Sequence, residues 1–168
     1  ADILVTRKNS RNPYASFFLG LLCEQTGRYP DAIERLRTID DKLITSNPRY
    51  HTVLASAYRH AGRTDEALTE YEKALALREG YVPALKGVVS VYMEKKEYKR
   101  ALEVCETAAA KAPTDLQLQY ALCTLQALLQ RPEQAVPICV ALMKVAPDDE
   151  PLSTSFVALC ATSGPVSY

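Results

Sequence analysis

The chain has 168 residues, 48% of them apolar, with 20 basic side chains against 20 acidic ones. That is enough for one compact domain or a short repeat array with a continuous core. Bulk nucleic-acid or membrane-surface binding needs a basic surplus, so neutrality argues against both, and no apolar run reaches the length of a membrane span.

Residues 1–12 form an N-terminal segment, expected as either the remnant of a preceding helix or a frayed terminus. A first helical pair spans 13–47. Asn12 reads as a cap and Pro13 as a first-turn residue, whose missing N–H costs nothing there. Its first helix carries Leu19, Gly20 and Cys23 and breaks at Thr26-Gly27-Arg28. The second carries Ala32, Leu36 and Ile39 and is expected to run on to Thr45. The second pair, 48–80, opens with the same device at Asn47-Pro48. It carries Leu54, Ala55 and Tyr58, breaks at Ala61-Gly62-Arg63, and resumes with Ala67, Tyr71 and Ala74.

The third pair, 81–113, carries Val88, Val89 and Tyr92, then Tyr98, Ala101, Cys105 and Ala108. The fourth, 114–147, starts from a cap at Asp115 and carries Leu122, Cys123 and Gln126, then Cys139 and Leu142. Pro132 suits a first turn, whereas Pro137 lies further in and is expected to kink its helix. Residues 148–163, with Phe156, Val157, Leu159 and Cys160 on one side, read as a capping helix over the last exposed face, and 164–168 as a frayed tail.

Ala32, Ala67, Ala101 and Ala135 are equivalent small residues, 35, 34 and 34 positions apart, and Pro113 and Pro147 are again 34 apart. In its Leu-small-Tyr and Ala-aromatic-Ala pattern and its period, the chain resembles the tetratricopeptide repeat family. The resemblance covers residues 13 to 162 and implies an all-α, right-handed solenoid of antiparallel helix pairs with a C-terminal capping helix. It also implies a concave wall lined by the first helix of each pair, on which a peptide or protein segment is held.

Projected onto these helices, the binding wall comprises Phe17, Phe18 and Leu21; then Arg49, Thr52, Ser56, Arg59 and His60; then Lys86, Ser90 and Met93; and finally Gln117, Tyr120 and Thr124. Its ends are aromatic or apolar and its middle is basic, which suits a segment with apolar anchors and an acidic group. Val53 falls on the same stripe, and so does Gly87. One subtype of the family grips the acidic C-termini of heat-shock chaperones with a Lys/Asn/Arg clamp. The corresponding positions here are Phe17, Leu21, Val53, Pro83 and Gly87 or, one repeat on, Thr52, Ser56, Gly87, Gln117 and Ala121. The clamp is absent in both frames, which argues against chaperone tails as partners.

No chemistry of catalysis, cofactor or metal binding is legible. His51 and His60 lie nine residues apart, on different helix faces, with His51 expected to pack and His60 to face a partner or solvent. No phosphate loop, nucleophile elbow or zinc spacing occurs. Acid pairs such as Glu66 and Glu70 read as solvated. The five cysteines, Cys23, Cys105, Cys123, Cys139 and Cys160, are an odd set without a Cys-x-x-Cys spacing and fall on packing positions. They are expected to be reduced core residues, and the protein cytoplasmic. The function expected is a non-enzymatic scaffold or adaptor. The alternatives are an architectural subunit that self-associates or joins other solenoids, and the targeting module of a larger enzyme.

Overall fold

The structure, a computed structural model, describes residues 12–145. Residues 1–11, the expected capping helix at 148–163 with its Cys160, and the tail at 164–168 lie outside the described residues. The described part is all-α: α1 (Pro13–Gln25), α2 (Tyr29–Arg37), α3 (Lys42–Thr45), α4 (Pro48–His60), α5 (Thr64–Leu77), α6 (Val82–Glu94), α7 (Tyr98–Lys111), α8 (Leu116–Leu128) and α9 (Pro132–Val145). The chain divides into two compact units, 1–87 and 88–168, with the boundary inside α6.

In the first unit the helix starts follow from local chemistry. The Asn12 side chain accepts from the Tyr14 N–H at 3.0 Å, and Asn47 accepts from the Arg49 N–H at 2.9 Å. Pro13 and Pro48 occupy the opening turns. The first helix of each pair ends in one way. Gly27 and Gly62 both sit at φ +77°, and the next N–H reaches back five residues, Arg28 to the Cys23 carbonyl at 2.8 Å and Arg63 to the Tyr58 carbonyl at 2.9 Å. This is the Schellman closure, which needs a left-handed residue that glycine supplies without a Cβ clash.

Packing in this unit rests on small residues beside large ones. Ala32, Leu36, Ala55, Ala67 and Ala74 are all fully buried, with Leu54, Tyr58 and Tyr71 filling the space around them. Gly20 lets α1 approach α2, because a Cβ there would stand 2.7 Å from Leu36 Cγ; at Gly87 the Tyr71 ring takes the place a Cβ would need. Gly87 is therefore a packing residue, not part of the binding wall. The second helix of the first pair is also shorter than expected. α2 stops at Arg37, and the Asp41 carboxylate caps a separate one-turn helix, α3, by accepting from the Leu43 N–H at 2.8 Å. A strong N-cap four residues upstream of Thr45 outweighs continuation of the earlier helix.

In the second unit Asp115 caps α8 through the Gln117 and Leu118 N–H groups at 3.0 and 3.2 Å. The same helix closure recurs twice, now without glycine. Lys96 at φ 60° and Gln130 at φ 56° take the left-handed position, with Glu97 N–H on the Tyr92 carbonyl at 2.8 Å and Arg131 N–H on that of Gln126 at 2.9 Å. α9 runs as one helix through the exposed Pro137.

The expectation that all thiols are reduced is corrected here. Cys123 on α8 and Cys139 on α9 are joined by a disulfide, their Cα atoms 5.9 Å apart, whereas Cys23 and Cys105 are free and buried. The packing positions were right for these four, but two of them face each other across one helical pair. Ala135 and Leu142 complete the cluster around them.

Candidate partner-binding face

In the first unit, α1 and α4 bring part of the expected wall together. Ser56 Oγ donates to Glu24 Oε1 at 2.6 Å, which ties the two stripes side by side. Phe17 is half-buried, edge-on to Phe18 at 5.8 Å and tilted toward Tyr50 at 6.4 Å between centroids, while Phe18 is 62% exposed. Leu21, Thr52, Arg59 and Lys86 are half-buried and Arg49 is exposed. Thr52 Oγ1 is turned back to the Pro48 carbonyl at 2.8 Å.

Two residues of the α4 stripe go elsewhere. Val53 is buried in the core, so the stripe is narrower than expected. His60 stacks on Tyr29 of α2 at 4.8 Å and 14°, with its Nε2 2.8 Å from Arg59 Nη2. It braces the α1–α2 pair against the end of α4.

In the second unit, Ser90 and Met93 of α6 are half-buried and Gln117 of α8 is exposed. Thr124 Oγ1 bonds back to the Tyr120 carbonyl at 2.9 Å. Tyr120 packs partly against the Cys123, Ala135, Cys139 and Leu142 cluster, so its ring serves the core as well as any surface. Gln126, which replaces the repeat tyrosine, is buried, and its Oε1 has no hydrogen-bond partner among the described residues.

A polar network in the first unit escaped sequence reasoning. Glu70, expected on a solvated face, is buried: Oε2 lies 2.7 Å from His51 Nδ1, and Oε1 accepts from Lys73 Nζ at 2.7 Å. The other ring nitrogen of His51 lies 2.9 Å from the Thr45 carbonyl. Burial pushes the Glu70 carboxyl up, but the hydrogen bonds and charges of His51 and Lys73 outweigh it and hold the group below the ordinary carboxylate value. The network pins α3, α4 and α5 together. Spacing within one helix cannot show it, because His51 and Glu70 belong to different helices. Also missed was a cavity of about 600 Å³ between α2 and the α4–α5 turn, lined by Ile33, Arg37 and Arg63 among others. Among the described residues there is no cluster that could hold a metal ion, and no helix is long and apolar enough to cross a membrane.

Comparisons with known proteins fit this arrangement. An uncharacterised protein, ycf37, of Pyropia yezoensis is 33% identical over 66 residues, which are 39% of this chain and 36% of that protein. The match thus spans about a third of the relative's own length. Among solved structures, MamA matches with a TM-score of 0.78 at 15% identity, covering 93% of this chain and 85% of its own. A thermophilic tetratricopeptide protein of Thermus thermophilus, TTC0263, gives 0.69 at 21% identity, covering 92% and 84%. YrrB, described as a tetratricopeptide protein with an unusual peptide-binding site, gives 0.67 at 25% identity, covering 71% of this chain and 61% of its own. These likenesses fit a helical solenoid. The profile of the tetratricopeptide repeat matches residues 8–159, nearly the whole chain, and the chain belongs to that family.

Proposed function

We propose that this chain is a non-catalytic adaptor that holds an extended or helical segment of another protein on the faces of its first helices. The observation that carries the proposal is the joined α1–α4 face. Ser56 and Glu24 lock the two helices in register while Phe18 and Arg49 stay exposed beside them. An aromatic anchor next to a cation recognises a segment with an apolar side chain and a nearby acid. YrrB, whose own description is that of a peptide binder, supports the class of ligand. The α8 positions Gln117, Tyr120 and Thr124 are proposed as a contact surface of the second unit taken by itself. The cytoplasmic location is retained in it, and the Cys123–Cys139 bond is the observation set against it.

The test is capture of partners by the chain and by two variants. Phe18→Asp with Arg49→Glu is expected to lose the partner with the fold intact by circular dichroism. Glu72→Lys, on the exposed side of α5, is expected to retain it. Lys73 is unsuitable as a neutral control because it bonds to Glu70. Loss through Glu72→Lys alone would move the binding face to the second helices.

A specific observation favours an architectural role as the second reading. Tyr14 and Leu22 of α1 and Leu43 of α3 are 50%, 55% and 76% exposed, beyond what the α1–α4 face requires. Sedimentation of the chain alone separates the two: a concentration-dependent dimer or polymer favours assembly, a monomer the adaptor.

A further inference from the structure

We infer a second binding site, for an acidic peptide segment, at the edge of the second unit where the α6–α7 turn meets the α8–α9 turn. A cavity of about 420 Å³ opens there, with Tyr98 and Leu129 as its apolar part and three cations, Lys96, Lys99 and Arg100, and one carboxylate, Glu97, around it. Lys96 and Lys99 are exposed and form no ion pair among the described residues; Arg100 is held by Glu97 at 2.7 Å. The site is built on turns and shares no residue with the α1–α4 face.

The backbone fixes where Lys96 stands, because the helix closure holds it on the cavity rim. Equivalent turns carry Gly27 and Gly62 at φ +77°, where glycine is free of strain, but this one carries Lys96 at φ 60°. Gln130 takes the same conformation at the next such turn without a cation, so it is the position of Lys96 on the rim, beside Lys99 and Arg100, that carries the inference. The start of α7 adds to the field, since its N-cap residue Glu97 makes no side-chain cap to the first-turn N–H groups.

The chemistry selects a peptide over other anions. The cations are confined to one turn edge of a chain with no net charge, which gives no track for a nucleic-acid backbone. Tyr98 and Leu129 call for an aliphatic group within reach of the carboxylates, which an acidic peptide supplies.

The experiment titrates the full chain into a short fluorescein-labelled peptide of alternating glutamate and leucine, read by anisotropy. Binding weakened by salt is expected. Lys96→Gly is expected to weaken it about threefold while raising Tm, so that affinity and stability move in opposite directions. Lys99→Glu should cost about tenfold by reversing a charge. Gln130→Gly should raise Tm and leave affinity unchanged, since it relieves the same backbone strain without removing a cation. The inference is overturned if Lys96→Gly binds like the native chain, or if a glutamine-for-glutamate peptide binds equally well. It is also overturned if anionic vesicles or duplex DNA are preferred. Loss of the peptide through Phe18→Asp/Arg49→Glu would assign it to the α1–α4 face instead, whatever the outcome for that face's own partner.

Discussion

An added Cβ at Gly87 would enter the space held by the Tyr71 ring, whereas at Gly20 it would stand 2.7 Å from Leu36 Cγ, beside the branched end of that side chain. Leucine tips can turn aside; a buried tyrosine ring in a small-residue cluster has less room. Gly87→Ala is therefore expected to cost about 1–3 kcal/mol and Gly20→Ala less, measured as shifts in urea midpoint. Glu70 makes the complementary case for a polar residue. Its folded pKa lies below the ordinary 4.5, so its contribution is complete above that value and is lost as pH falls through the folded pKa. Glu70→Gln should cost about 2 kcal/mol at neutral pH, and the gap to the native chain should close as pH falls through the folded pKa of Glu70. A gap that persists in acid would show that the charge of Glu70 contributes nothing.

Four helix ends close by one hydrogen-bond pattern, yet two of them lack the glycine that the pattern favours. Replacing Gln130 by Gly is expected to stabilise the chain by about 1 kcal/mol, and Gly62→Ala to destabilise it by a similar amount, both read from thermal denaturation. The glycine turns were legible in the sequence because Gly27 and Gly62 stand 35 residues apart; the Lys96 and Gln130 turns were not, since neither residue announces a left-handed conformation. The same limit governs other elements. Asn12-Pro13 and Asn47-Pro48 mark helix starts by local chemistry, and the structure has caps there. The end of α2 depends on competition from the Asp41 cap, which a search for Pro or Gly stops overlooks. At the candidate face, helical spacing predicts which residues of α1 and α4 share a stripe, but it could not show that Val53 turns inward or that His60 meets Tyr29. Those depend on a second helix.

At the scale of the whole chain the two units differ in covalent chemistry, and this separates them experimentally. Among the described residues the one disulfide, Cys123–Cys139, lies in the second unit and closes a sequence separation of 16. A loop of that length restrains the unfolded chain by about 3 kcal/mol. Cys105, in the same unit, has its thiol pushed up to about 11 by burial first and then by Glu106, which leaves little thiolate at neutral pH. Slow alkylation of Cys105 in the native state is therefore expected, with rapid reaction on unfolding. Freshly purified, alkylation-quenched chain should have a mass about 2 Da below that of the fully reduced form. Reduction or Cys123→Ser should then lower hydrogen-exchange protection in α8 and α9 while leaving α4 and α5 unchanged. If the native mass equals the reduced mass and reductant changes no protection, the bond does not form in solution. Cys123 and Cys139 would then be ordinary buried thiols.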